Sequence, residues 1–363
     1  MTSWSSACVS TALAVLGTSA AMAQIPIPPF PQPAGPGMHA PQDVREQALL
    51  AMCRRHHPPA RRQGPFNAGA RPRGPVQVAP FPYHVDGIDG VVAPGVEWTI
   101  VWVTNGNNAD GLITLPDGSI EMAQNDDSAV VRLYPSGHSE TVYTDTDSGG
   151  GLAINHSGEI FVAERALMSS IWELAPERKL LADSIDGDSL DCMGGGGIDG
   201  PAALDSGGVY FSMGGLLYSD PQGHVTQYGT RDVEPNDIVL SNDQKTLYVG
   251  SGGKILAFDV GADGALSNQR VFATIPGGGN DGGMVDADGR VYFEGRERGV
   301  QVFSPTGQYL GLIASPFPVI STTLGGPDRK TLYAVGLDAG PGGLKDEVMA
   351  LPMIAHGAPA QGQ

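Results

Sequence analysis

Of 363 residues only three are cysteine, and no C-x-x-C pair or Cys/His cluster occurs, which disfavours a structural zinc site. There is no G-x-S-x-G, which argues against a serine hydrolase built on a nucleophile elbow. Gly250-Ser251-Gly252-Gly253-Lys254 lacks the spacing and the Ser/Thr of a phosphate loop. Asp145-Thr146-Asp147 opens like a calcium loop, but His156 stands where its bidentate Glu belongs, so the segment reads as a connection. Positive charge is scarce. Residues 1–80 hold 7 Lys/Arg and 2 Asp/Glu against 14 and 37 in the rest, so residues 81–363 carry a net −23. Nucleic acid is therefore not an expected partner.

Long apolar runs are absent too. The run from Ala7 to Val15 falls far short of the ~20 residues a bilayer needs, so no transmembrane anchor is expected. With Ala21-Met22-Ala23 ahead of Gln24, residues 1–23 read instead as a secretory signal, implying a periplasmic or secreted protein. No Lys or Arg precedes the run, and a weakly recognised signal is the competing reading. Cys8 would leave with the signal. Cys53 in a linker and Cys192 in a Gly-rich loop then read as two isolated thiols, against the alternative of a disulfide in an oxidising compartment.

What the chain has in quantity is glycine, 52 residues, and proline, 29. Seven prolines fall between Gln24 and Pro41, reading as an extended spacer, and residues 24–80 form a Pro-rich basic linker, disordered apart from a short helix over Gln42–Arg55. Its patch Arg54-Arg55-His56-His57 with Arg61-Arg62 reads as a solvated linker rather than a membrane contact. Residues 356–363 read as a flexible tail.

Between Asp110 and Met353 one pattern recurs six times: an apolar or Gly-led strand, a tight turn, a β-rich strand and a third strand. The turns are Pro116-Asp117-Gly118, His156-Ser157-Gly158, Asp205-Ser206-Gly207, Asn242 to Lys245, Asp286 to Gly289 and Pro327 to Lys330. Such units bury their faces only against neighbours, so the expectation is an all-β, six-bladed β-propeller over residues 81–355. The strand Trp98–Val103 is placed to close the ring by completing the last blade, or else to be an ordinary outer strand of the first.

Aligning the repeats on their turns aligns the residue opening each inner strand: Asp110, Gly150, Asp199, Asn236, Asp281 and Ser321. Inner strands flank the axis of a propeller, so these side chains are expected to converge. Carboxylates gathered there repel unless protonated or neutralised by a cation, and oxygen-only ligands point to Ca²⁺ before Mg²⁺ or Mn²⁺. Any one of these residues alone would read as ordinary turn chemistry; the shared register argues for a site.

Pro235-Asn236-Asp237-Ile238 and Asn280-Asp281-Gly282-Gly283-Met284, with Ala265–Ala273 and Val302–Gly307, resemble motifs of the senescence-marker-protein/gluconolactonase (regucalcin-like) family, over roughly residues 105–355. The resemblance implies that Asp110, Asn236 and Asp281 are metal ligands, with Asp281 also the general base or nucleophile and Asp199 positioning the substrate. It also implies a metal-dependent hydrolase acting on a lactone or related ester; the alternative is a non-catalytic ligand- or protein-binding propeller. Asp110 stands where the family has Glu, Asp199 where it has Asn, Gly150 where a polar residue is common, and no Arg just precedes Asp199.

Overall fold

The computed structural model describes residues 48–57, 80–194, 197–230, 233–279, 281–295, 299–340 and 343–358. The expected signal, most of the linker including Arg61-Arg62, and residues 359–363 lie outside them. Among the described residues no helix is long and apolar enough to cross a membrane.

Six antiparallel four-stranded sheets follow one another along the chain. Each begins with an inner strand: Asp110–Thr114, Gly149–Ile154, Asp199–Ala203, Pro235–Leu240, Gly283–Val285 and Val319–Gly325 in blades 1 to 6. Every one of the six turns read from the sequence joins such a strand to the second strand of its blade. Successive inner strands pack against each other, and that of blade 6 returns to that of blade 1, closing the ring. Closure is completed by Thr99–Asn105, which pairs antiparallel with Gly343–Pro352 as the outermost strand of blade 6. The chain is therefore a six-bladed propeller with its first strand in its last blade.

The reason this sequence makes blades lies in what each face buries. Six separate apolar clusters occupy the six interfaces between neighbouring blades. Between blades 3 and 4, for example, Tyr210, Leu216 and Tyr218 meet Ile238, Leu247, Val249 and Phe258. Each such side chain contributes about 1.5–3 kcal/mol on leaving water, so no blade is stable without both neighbours. Tyr210 is fully buried, and its hydroxyl donates to the Gly264 carbonyl at 2.6 Å. The fourth strands, such as Ser139–Thr144 and Leu266–Thr274, present mostly exposed or half-buried residues, consistent with one edge in water.

The two thiols are not isolated. Cys53 and Cys192 form a disulfide across 139 residues, with Cα atoms 5.8 Å apart. The reason is a docked segment rather than a solvated linker. The backbone N–H groups of Arg54, Arg55 and His56 all donate to the Asp188 carboxylate at 2.6–2.8 Å, just ahead of the short 3-10 turn Leu190–Met193 that carries Cys192. Those donors, His56 first, pull the Asp188 carboxyl down to about 2. Of the helix expected over Gln42–Arg55, residues 48–50 are helical among those described. At the other end, Gly357 donates its N–H to Arg329 O, and Ala358 O accepts from the Arg329 guanidinium.

Candidate active site

Where each inner strand reaches the axis, its pairing with the second strand usually slips. The irregularities fall between Asp110 and Ile113, Gly149 and Gly151, Asp199 and Ala202, Pro235 and Ile238, and Val319 and Ser321. A bulge at this level bends the strand and re-aims the side chain beside it. In three blades the residue after the channel aspartate is a glycine with positive φ: Gly111 at 53°, Gly200 at 51° and Gly282 at 47°. The next blade's backbone presses so close that a Cβ on Gly111 would lie 2.5 Å from the Leu152 nitrogen, and one on Gly282 2.5 Å from the Ile320 oxygen. The Asp-Gly pairs are thus built for channel geometry, not for hairpin turns.

Asp110, Asp199, Asn236 and Asp281, from four blades, line one recess on the axis together with Asp237 and Ile320. The recess is narrow, with a cavity volume of about 10 Å³, and it opens to solvent. Asp110 Oδ1 accepts from the Gly111 N–H at 2.8 Å, and Asp199 Oδ1 from the Gly200 N–H at 2.9 Å. The Asn236 amide donates to Asp281 Oδ1 at 3.0 Å, while the Asp281 N–H donates to Glu294 Oε1 at 2.9 Å. The other two aligned positions hold no carboxylate. Ser321 Oγ accepts from the Leu112 N–H at 2.9 Å, tying blade 6 to blade 1, and Gly150 leaves its space to another side chain.

That side chain is Arg165, which the sequence reading did not single out. It follows the second strand of blade 2, Ile160–Glu164, and reaches across to the ring. Its Nε donates to Ile198 O at 3.1 Å, Nη1 to Asn125 Oδ1 at 2.9 Å and Asp110 Oδ2 at 3.4 Å, and Nη2 to Asp199 Oδ1. An arginine thus reaches Asp199 from another blade, through its side chain rather than from the residue just before it. Asn125, Arg165 and Glu294 share a position: each ends or directly follows the second strand of its blade, opposite the start of the inner strand. Aligning the second-strand ends, as the inner strands were aligned, would have exposed them.

The charges of Asp199, Asp110 and Asp281 act on the one guanidinium, and Asp237 lines the same recess, so carboxyls outnumber it. Asp110 is pushed up to about 6, by burial first, with Arg165 opposing and Asp199 adding to the rise. Burial, then the charges of Asp110, Asp199, Glu294 and Asp237, holds Asp281 well above the ordinary carboxylate range. Asp237 is raised likewise, by burial and then by Asp199, and its Oδ2 is buried without a hydrogen-bond partner. Against its own burial, Asp199 and Asp110 keep the Arg165 guanidinium more firmly protonated than usual. An all-oxygen set with surplus negative charge and an unpaired buried carboxylate oxygen fits a hard divalent cation. Among the described residues, no three Asp, Glu, His or Cys side chains are already gathered as a metal cluster.

Residues 191–336 match the family model described as SMP-30/Gluconolactonase/LRE-like region. A gluconolactonase from Xanthomonas campestris is similar in fold, with 20% identity and a TM-score of 0.62 over 78% of this chain and 99% of that one. The calcium-binding protein regucalcin from Agrobacterium tumefaciens gives 18% identity and a TM-score of 0.58 over 73% and 97%. A luciferin-regenerating enzyme gives 14% identity and a TM-score of 0.59 over 73% and 98%. At such identities the likeness is one of fold. Residues 191–336 thus carry the SMP-30/Gluconolactonase/LRE-like region, and the propeller that holds them shares its fold with these structures.

Proposed function

We propose that this chain is an exported hydrolase that opens a lactone or a related carboxylic ester at the axial recess. A divalent cation, Ca²⁺ before Mg²⁺ or Mn²⁺, would be held there by Asp110, Asn236 and Asp281. The observation that carries the reading is the convergence of those residues and Asp199, from four blades, on one recess with surplus negative charge. The gluconolactonase and the calcium-binding regucalcin that share the fold support it.

When bound, such a cation polarises an ester carbonyl, acidifies water and favours the ionised form of the carboxyls around it. Asp281 accepts the proton from water or attacks the carbonyl itself. Its Oδ1 is engaged by the Asn236 amide, which leaves Oδ2 for that role. Asp199 positions the substrate, its own carboxylate fixed by the Gly200 N–H and Arg165. Export is supported by the Cys53–Cys192 disulfide, a bond that persists in oxidising compartments. One observation favours the second reading, a propeller that binds a ligand without turning it over: Arg165 already pairs with Asp110 and Asp199.

The test is ring opening of a panel of γ- and δ-lactones by the full chain, with Ca²⁺, Mg²⁺ or Mn²⁺ and with chelator. Turnover that needs the cation, and that falls about 10²-fold or more in Asp281→Asn with the fold kept, supports the proposal. No ring opening under any condition, or full turnover by Asp281→Asn, refutes it.

A further inference from the structure

We infer that Arg165 is a resident counter-cation of the channel, competing with the external cation for Asp110, and that Gly150 is bare in order to admit it. This rests on the cation reading above and adds the residue that sets its affinity. A guanidinium carries five N–H groups, and the four acceptors around Arg165 engage its Nε and both terminal nitrogens. It is therefore a built-in partner of the ring, not an open hook for an anionic substrate. Its side chain is 13% exposed, against 16% for Asp110 and 31% for Asp199, so the pairing is shielded from bulk water.

Gly150 supplies the space. A Cβ there would fall on the Nε and central carbon of the Arg165 guanidinium. Blade 2 thus gives up its own channel side chain and borrows a positive one from the end of its second strand. Asp110 faces both demands at once, since its Oδ2 is the atom nearest Nη1 and its carboxylate is the one expected on the cation. A divalent ion must enter against a fixed positive charge and loosen an existing ion pair. Without the ion, Arg165 keeps Asp110 and Asp199 drawn toward one side of the recess.

The experiment is calorimetric titration of the full-length chain with Ca²⁺ alone, comparing wild type, Arg165→Gln, Arg165→Lys and Gly150→Asn. Removing the competing charge should tighten Ca²⁺ binding by about tenfold or more in Arg165→Gln. Gly150 does not need a positive φ, so Asn is compatible with its backbone and should expel the guanidinium, giving the same direction of change. Arg165→Lys, which keeps the charge, should stay near wild type. The thermal midpoint of Arg165→Gln should fall in chelator and recover with saturating Ca²⁺. Wild-type binding with no tightening in Arg165→Gln and Gly150→Asn overturns the inference and leaves the cation reading standing. Failure of all four proteins to bind Ca²⁺ overturns both. If Arg165→Gln does not fold, Gly150→Asn decides by the same criterion.

Discussion

Gly111→Ala isolates the feature that shapes the recess. Gly111 takes φ 53°, and a Cβ on it would meet the Leu152 nitrogen at 2.5 Å and the Gly151 Cα at 2.6 Å, both backbone atoms of the next inner strand. The left-handed conformation costs an alanine about 1 kcal/mol. Overpacking against a backbone that cannot rotate away adds about 1–3 kcal/mol. The sum, about 2–4 kcal/mol, is a fall in thermal midpoint of roughly 3–7 °C for a domain of this size. Gly137→Ala is the control: its φ is 85°, yet nothing lies within 4 Å of the added carbon, so only the conformational part applies. Thermal unfolding followed by circular dichroism should separate the two variants by several degrees. Equal losses would show that close approach of blades 1 and 2 does not constrain the Asp-Gly pair.

Reducing the Cys53–Cys192 bond, or replacing both cysteines with Ser, frees a loop of 139 residues in the unfolded chain. The chain-entropy relation puts this at about 5 kcal/mol, and an unchanged midpoint in reductant would contradict it. Ser321→Ala leaves the buried Leu112 N–H without its acceptor and should cost about 1–3 kcal/mol, measured by urea unfolding; no loss would deny that this bond seals the ring. Glu121, Glu164 and Asp346 are pushed up to about 7, about 8 and about 7, burial being the first cause in each. A carboxyl raised on folding stabilises fully below its unfolded value and loses that contribution as pH climbs through the folded one. The midpoint in chelator should therefore fall from about pH 5 to about pH 8.5, and a rise would refute these environments.

The six blades were legible because a turn, a β-rich strand and a third strand recur at nearly constant spacing, each strand buried enough to be strongly apolar. The outer strands were less so: Ser139–Thr144 and Leu266–Thr274 lie half in water and carry weak alternation. The channel residues were found because register in a propeller converts sequence alignment into spatial convergence. Arg165 escaped because its partners lie 33 to 55 residues away in other blades, and an arginine after a strand looks like a solvated one until the bare Gly150 beside it is seen. The disulfide escaped for a related reason, since a few backbone hydrogen bonds to Asp188, not any pattern near Cys53, decide where that segment lies.

The most direct test of the central claim, that the axial oxygens form a cation site, is the thermal midpoint of the full-length chain with excess Ca²⁺ and with chelator, for wild type and Asp281→Ala. The account predicts a Ca²⁺-dependent rise in wild type that Asp281→Ala abolishes. A midpoint indifferent to Ca²⁺, Mg²⁺ and Mn²⁺, or an equal rise in both proteins, would contradict it.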